Sequence, residues 1–191
     1  MHNLPEHAPI VEDIQRWLEQ VVIGLNLCPF AAKPFLDKQV RISVTACTDV
    51  DCLLDVLETE LEIMAEHRPQ EIETTLIVVP NMLGDFYDYN DFLDQAEALL
   101  DEQGWTGHFQ LASFHPHYQF AETRPEDCEN LTNRAPYPVL HLIREASLEK
   151  MLEHYPHPEQ IPERNIERVC NLDDAQKAAL FPYLFSAKKP H

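Results

Sequence analysis

Positive charge is scarce in this chain. Its 191 residues include 14 Lys+Arg against 33 Asp+Glu, a formal net charge of −19 with His neutral. Nucleic-acid binding draws most of its affinity from cations set against phosphates, so the acidity argues against nucleic acid as a partner. Lys188 and Lys189 stand alone at the tail, and no polybasic segment offers a membrane contact. Long apolar runs are also missing, and none approaches the roughly 20 residues that span a bilayer. The opening residues show neither a basic n-region nor an apolar h-region, so a secretory signal is not expected and the expected location is cytoplasmic. Cys-x-x-Cys is absent as well. The five cysteines, Cys28, Cys47, Cys52, Cys128 and Cys170, are odd in number and widely spaced. They read as cytosolic thiols and not as a disulfide framework, and a zinc ribbon is disfavoured.

What is present is an ordinary globular composition, 45% hydrophobic and 25% charged, of a length suited to about one to one and a half domains. Residues 1–9 are polar and Pro-rich, a loose lead-in. Ile10, Ile14, Trp17, Leu18, Val21 and Leu25 recur at steps of three and four, the spacing of one helix face, and Gly24 and Pro29 mark the exit. Val40–Thr45 alternates like a strand. Thr48 is the expected cap of a helix that buries Leu53, Leu57, Leu61 and Met64. Thr74–Val79 is a continuous apolar run rich in β-branched residues, the mark of a central strand buried on both faces. Asn90 is the expected cap of a third helix to about Gln103, with Gly104 closing it. Strands follow at 109–114 and 139–143, separated by an irregular stretch at 115–137. Ser147 is the expected cap of a short helix, and two further helices follow at about 162–170 and 173–185.

This order implies an α/β fold. The expectation is a single domain over residues 10–186 with a mixed, mostly parallel sheet of about four strands in β-α-β-α-β-β order, flanked by an N-terminal helix and C-terminal helices. The last strand can pair antiparallel through the long loop.

Three constellations could carry chemistry. His115-Pro116-His117 ends the third strand; if the backbone stays extended, the two imidazoles share a face and could hold a divalent metal such as zinc. The third ligand would be Asp127, Cys128, His141 or Cys28. The plain alternative is a pair of polar loop residues packed on Tyr118 or Phe120. Arg134, one of few cations, has a fork suited to a carboxylate or phosphate, with Asn130, Asn133 and Tyr137 beside it; the alternative is structural pairing with Glu122, Glu126 or Asp127. Cys28 lies at a helix exit, where the dipole does not favour a thiolate, so it is a nucleophile only with a His or Arg nearby in space.

With Gly24-Leu25-Asn26-Leu27-Cys28-Pro29-Phe30, Phe114-His115-Pro116 with Tyr118 and Phe120, and Asn133-Arg134-Ala135-Pro136-Tyr137-Pro138 in view, the chain resembles the uncharacterised bacterial domain-of-unknown-function family numbered fourteen-fifteen, over roughly residues 10–185. The resemblance implies a bacterial cytosolic protein of similar length and supplies no activity, cofactor or catalytic residue.

The favoured reading is a small-molecule enzyme, a hydrolase or group transferase. Arg134 would hold an anionic substrate, and His115 and His117 would act as acid/base groups or metal ligands beside Cys28. One alternative is a non-catalytic module that binds a ligand or protein. Another is a thioredoxin-like redox protein using Cys47 and Cys52, which flank a strand–helix junction. Neither cofactor nor oligomeric state is legible.

Overall fold

The computed structural model describes residues 5–185. The expected lead-in at residues 1–4 and the tail carrying Lys188 and Lys189 lie outside them. The lead-in expected at 5–9 is already helical, with a 3-10 turn at Pro5–His7 running into α1 at Ala8.

Four strands form one sheet in the order β1-β2-β4-β3. They are β1 (Val40–Val44), β2 (Thr74–Val78), β3 (Phe109–Phe114) and β4 (Val139–Arg144). β1 and β2 are parallel, and β4 runs antiparallel to both β2 and β3. The three parallel strands therefore end at one edge of the sheet, where β4 begins. Open α/β sheets place ligands beyond such strand ends. The mixed four-stranded sheet agrees with the order read from sequence; three strands run one way, and the antiparallel β4 lies between β2 and β3.

Helices cover both faces. α3 (Val50–Glu66) and α4 (Phe86–Glu102) pack on one, burying Leu53, Leu57, Phe92 and Ala96 against Ile77, Leu140 and Leu142. The other face carries α1 (Ala8–Trp17), its continuation as a π-helix at Leu18–Ile23, and α6 (Ile161–Cys170), α7 (Asp174–Leu180) and α8 (Pro182–Phe185). These cover Leu76, Val78 and Val139 with Ile14, Trp17, Val169 and Phe181. Leu76 and Ile77 thus serve opposite cores, as a strand buried on both faces requires. Two shorter helices, α2 (Ala32–Leu36) and α5 (Glu145–Leu152), complete the chain. No helix among the described residues is long and apolar enough to cross a membrane.

Several boundaries differ from the sequence reading. The cap of α3 is Asp49 and not Thr48, its carboxylate accepting from the Cys52 N–H. α4 starts before Asn90, because Asp85 accepts from the N–H groups of both Tyr87 and Asp88 and caps it there. α5 begins at Glu145, directly after β4, with no side-chain cap at Ser147. Arg144, the last residue of β4, closes the C-terminal end of α3: it donates to the carbonyls of His67 (2.8 Å) and Ile72 (3.1 Å) and also to that of Met64. A cation at a helix C-terminus also suits the macrodipole.

The cysteines depart furthest from expectation. Cys47 is bonded to Cys52 and Cys128 to Cys170, leaving Cys28 as the free thiol among the described residues. The expected set of five separate thiols is corrected: Cys47 and Cys52, the pair weighed for redox chemistry, are bridged, and folding brings together Cys128 and Cys170, whose spacing carried no signal.

Candidate functional site

The first helix leaves its π-turn at Gly24, where a Cβ would lie 2.3 Å from the Gln20 carbonyl oxygen. Asn26 then takes a left-handed conformation (φ 50°), which Asn tolerates better than most residues. This exit is held from α6: Asn165 donates to the Leu27 carbonyl at 2.6 Å and Arg168 to the Asn26 carbonyl at 2.6 Å. Cys28 is thereby fixed against the sheet.

The 115–138 stretch is built by its polar residues. The chain turns at Pro116, with the Tyr118 N–H returning to the His115 carbonyl at 3.1 Å. The extended geometry that would pair the imidazoles on one face is absent. His115 is fully buried. Its Nδ1 accepts from the His117 backbone N–H at 2.9 Å, so Nε2 carries the proton and donates to the Leu83 carbonyl at 2.9 Å. Both ring nitrogens are thus engaged by backbone, and no lone pair is left for a metal. Burial holds the His115 imidazole below its usual pKa, only partly offset by the Leu83 carbonyl. The His117 side chain is exposed. Asp127, offered as a third ligand, accepts from the Arg124 N–H at 2.8 Å, and Cys128 is bridged to Cys170.

Arg134 is similarly occupied. Its guanidinium donates to the carbonyls of Pro125 (2.6 Å) and Tyr118 (3.2 Å), and burial lowers its pKa. These carbonyls take the place of the carboxylates of Glu122, Glu126 and Asp127. Its own carbonyl accepts from Trp17 Nε1 and the Tyr183 hydroxyl. Asn130 is buried; it accepts from the Phe120 N–H and the Thr123 hydroxyl and donates to the Arg124 carbonyl. Asn133 donates to the Ser113 carbonyl at 3.2 Å. The Tyr137 hydroxyl donates to Asp13 at 3.1 Å, and burial, then that carboxylate, raises its pKa.

What these bonds shape is a pair of adjoining cavities. The larger, about 510 Å³, lies between the helix exit, the loop and α6; its walls include Phe120, Glu129, Thr132, Asn133 and Asn165. The smaller, about 190 Å³, lies over the sheet beneath Trp17 and Met151, with Val40, Leu76 and His141 on its floor. Val22, Cys28 and Phe114 border both. Arg134, His115 and His117 line neither.

In the smaller cavity His141 interrupts an apolar strand. The Thr74 hydroxyl donates to the Leu142 carbonyl at 2.6 Å, so it accepts from His141 Nε2 at 2.6 Å. This sets the tautomer and leaves the Nδ1 lone pair unengaged among the described residues. Burial holds the His141 pKa down to about 4, so the ring is neutral at physiological pH. Burial likewise pushes the Cys28 thiol up, while the N–H groups of Phe30 and Ala31, bonded to its sulfur, pull it the other way.

Of the residues singled out from sequence, Cys28 and Asn133 reach the cavities; His115, Asn130 and Arg134 build the loop around them. From sequence, His141 is a candidate only as a metal ligand, and Thr74 is only the start of a strand. The signal for His141 was one imidazole within Val-Leu-His-Leu-Ile.

The model of a protein family of unknown function, DUF1415, matches residues 9–179. The chain belongs to DUF1415. The match spans all three segments that carried the resemblance, and in this DUF1415 chain each of them gives the larger cavity a wall residue: Cys28, Phe114 and Asn133. No curated protein and no solved structure matches it.

Proposed function

We propose that this DUF1415 protein is a small-molecule enzyme of the hydrolase or group-transfer class, with Cys28 as its nucleophile. The substrate class is an acyl compound with an apolar body. The observation that supports this reading is the place of Cys28 on the wall between two cavities, one of which also holds the neutral, tautomer-fixed His141. A thiol with a His base, the base oriented by a third group, is the general form of an activated nucleophile. Here Thr74 would orient the base. The Cys28 sulfur would bond the substrate's carbonyl carbon while its proton passes to His141 Nδ1. The bond to the leaving group then breaks, and the leaving group takes that proton. Water or a second acceptor would release the acyl group from sulfur. The test is capture of the acyl group on Cys28 from an activated ester, with loss in Cys28→Ser.

The engagement of Arg134 by carbonyls does not favour the anionic substrate expected from sequence, and the engagement of His115 does not favour a metal. A second reading, a non-catalytic module for a small apolar ligand, draws on the largely apolar walls of both cavities. It predicts ligand binding that survives Cys28→Ser without any covalent step.

A further inference from the structure

A second sulfur centre lies in the other core, on the opposite face of the sheet from Cys28. Cys47 and Cys52 are bonded, with Cα atoms 5.7 Å apart, where β1 gives way to α3. Cys47 is 5% exposed and packs among Leu53, Leu57 and Val79, whereas Cys52 is half-buried. Cys52 sits in the first turn of a 17-residue helix, its N–H bonded to the capping Asp49 at 2.9 Å. The positive end of the helix favours anionic sulfur there. A bridge spanning five positions removes far less chain entropy from the unfolded state than the one spanning 42 between Cys128 and Cys170. One accessible and one buried sulfur at a helix start, joined by a short loop, form the arrangement of a dithiol that exchanges with disulfides.

We infer that Cys47 and Cys52 form a thiol–disulfide exchange centre selective for cationic low-molecular-weight disulfides. The charge around it supplies the selectivity. Asp49, Asp51 and Asp55 are exposed beside Cys52, and no Lys or Arg occurs between Ile42 and His67. An anionic disulfide is repelled and a cationic one attracted. The Cys52 thiolate attacks one sulfur of the disulfide and expels the first thiolate, which takes up a proton. Cys47, giving up its proton, then attacks the Cys52 sulfur of the mixed disulfide and expels the second thiol. The Cys47–Cys52 bond forms and the incoming disulfide is reduced by two electrons.

The test uses the full chain and resolves the two bridges by alkylation and peptide mass mapping. Reduced protein, its fold checked by circular dichroism, is mixed at low salt with cystamine, which is cationic, or with glutathione disulfide, which is anionic. The Cys47–Cys52 bridge is expected to form about tenfold or more faster with cystamine, with the ratio shrinking as salt rises. Cys47→Ser is expected to accumulate a mixed disulfide at Cys52, and Cys52→Ser to accumulate none at Cys47. If reduction unfolds the chain, native oxidised protein is titrated with cysteamine, and this bridge is expected to open before Cys128–Cys170. Equal rates with the two disulfides overturn the selectivity. Absence of the bridge in folded protein, or its opening only with global unfolding, overturns the centre. Neither result bears on Cys28.

Discussion

The Arg134 guanidinium donates to the Pro125 carbonyl at 2.6 Å, and with its bond to Tyr118 it closes the loop that walls the larger cavity. Its role is therefore architectural. Hydrogen bonds to a charged group contribute about 1.5–3 kcal/mol each, and a Lys cannot reproduce the planar fork. Arg134→Lys is expected to raise hydrogen exchange across residues 118–127 selectively, and to lower the urea midpoint. Unchanged exchange there would show that the loop holds without it.

Glu60 is 2% exposed and accepts from Arg41 Nε at 2.6 Å and Nη2 at 3.0 Å, bracing β1 against α3. Removing one partner of a buried pair costs about 3–5 kcal/mol. The Arg41 side chain is 23% exposed, which places Glu60→Ala toward the lower end. Replacing both residues with apolar ones of similar volume is expected to recover most of the loss. Chemical denaturation of the single and double variants checks this.

Stability is expected to fall with acid before the carboxylates titrate. His141 is held at about 4 by burial, below the usual value of about 6.5. The unfolded chain therefore binds a proton that the folded chain refuses between these values. The contribution is complete above about pH 6.5, shrinks as pH falls, and is gone below about 4. At about 1.4 kcal/mol per pH unit, the loss between pH 6.5 and 5 is about 2 kcal/mol. His115, also lowered by burial, acts with the same sign. Urea midpoints at pH 7 and 5 should diverge less in His141→Gln than in the parent.

Gly24 is the position where the helix exit admits no side chain. Its Cβ would press on Gln20 backbone, 2.3 Å from the oxygen and 2.9 Å from the carbon. Gly24→Ala is expected to cost about 1–3 kcal/mol, as other overpacked sites do. It should also displace Cys28, read as faster alkylation of that thiol.

The sheet and its helices were legible because burial imposes periodicity. Leu76, Ile77, Val78 and Val79 had to be central, since they face cores on both sides. Start positions were less legible where several residues could cap: Asp85 rather than Asn90 receives the free N–H groups of α4. The site was half legible. Cys28 and Asn133 stood out by residue type, but His115-Pro116-His117 looks like a ligand pair only until the chain turns at Pro116. The engagement of His115 Nε2 depends on Leu83, 32 positions away. The Cys128–Cys170 bridge was hidden for the same reason, since its two cysteines meet only once α6 has docked. His141 was obscured by the strand that holds it.

The most direct measurement is intact-mass analysis of the full chain after brief exposure to a medium-chain 4-nitrophenyl ester. The parent should carry one acyl group, on Cys28, and release it with turnover. Cys28→Ser should carry none there, and His141→Gln should acylate about 10²–10⁴-fold more slowly while remaining folded. Acylation of Cys28 at the same rate in His141→Gln, or an unmodified Cys28 in folded parent protein, would contradict a Cys28–His141 nucleophile.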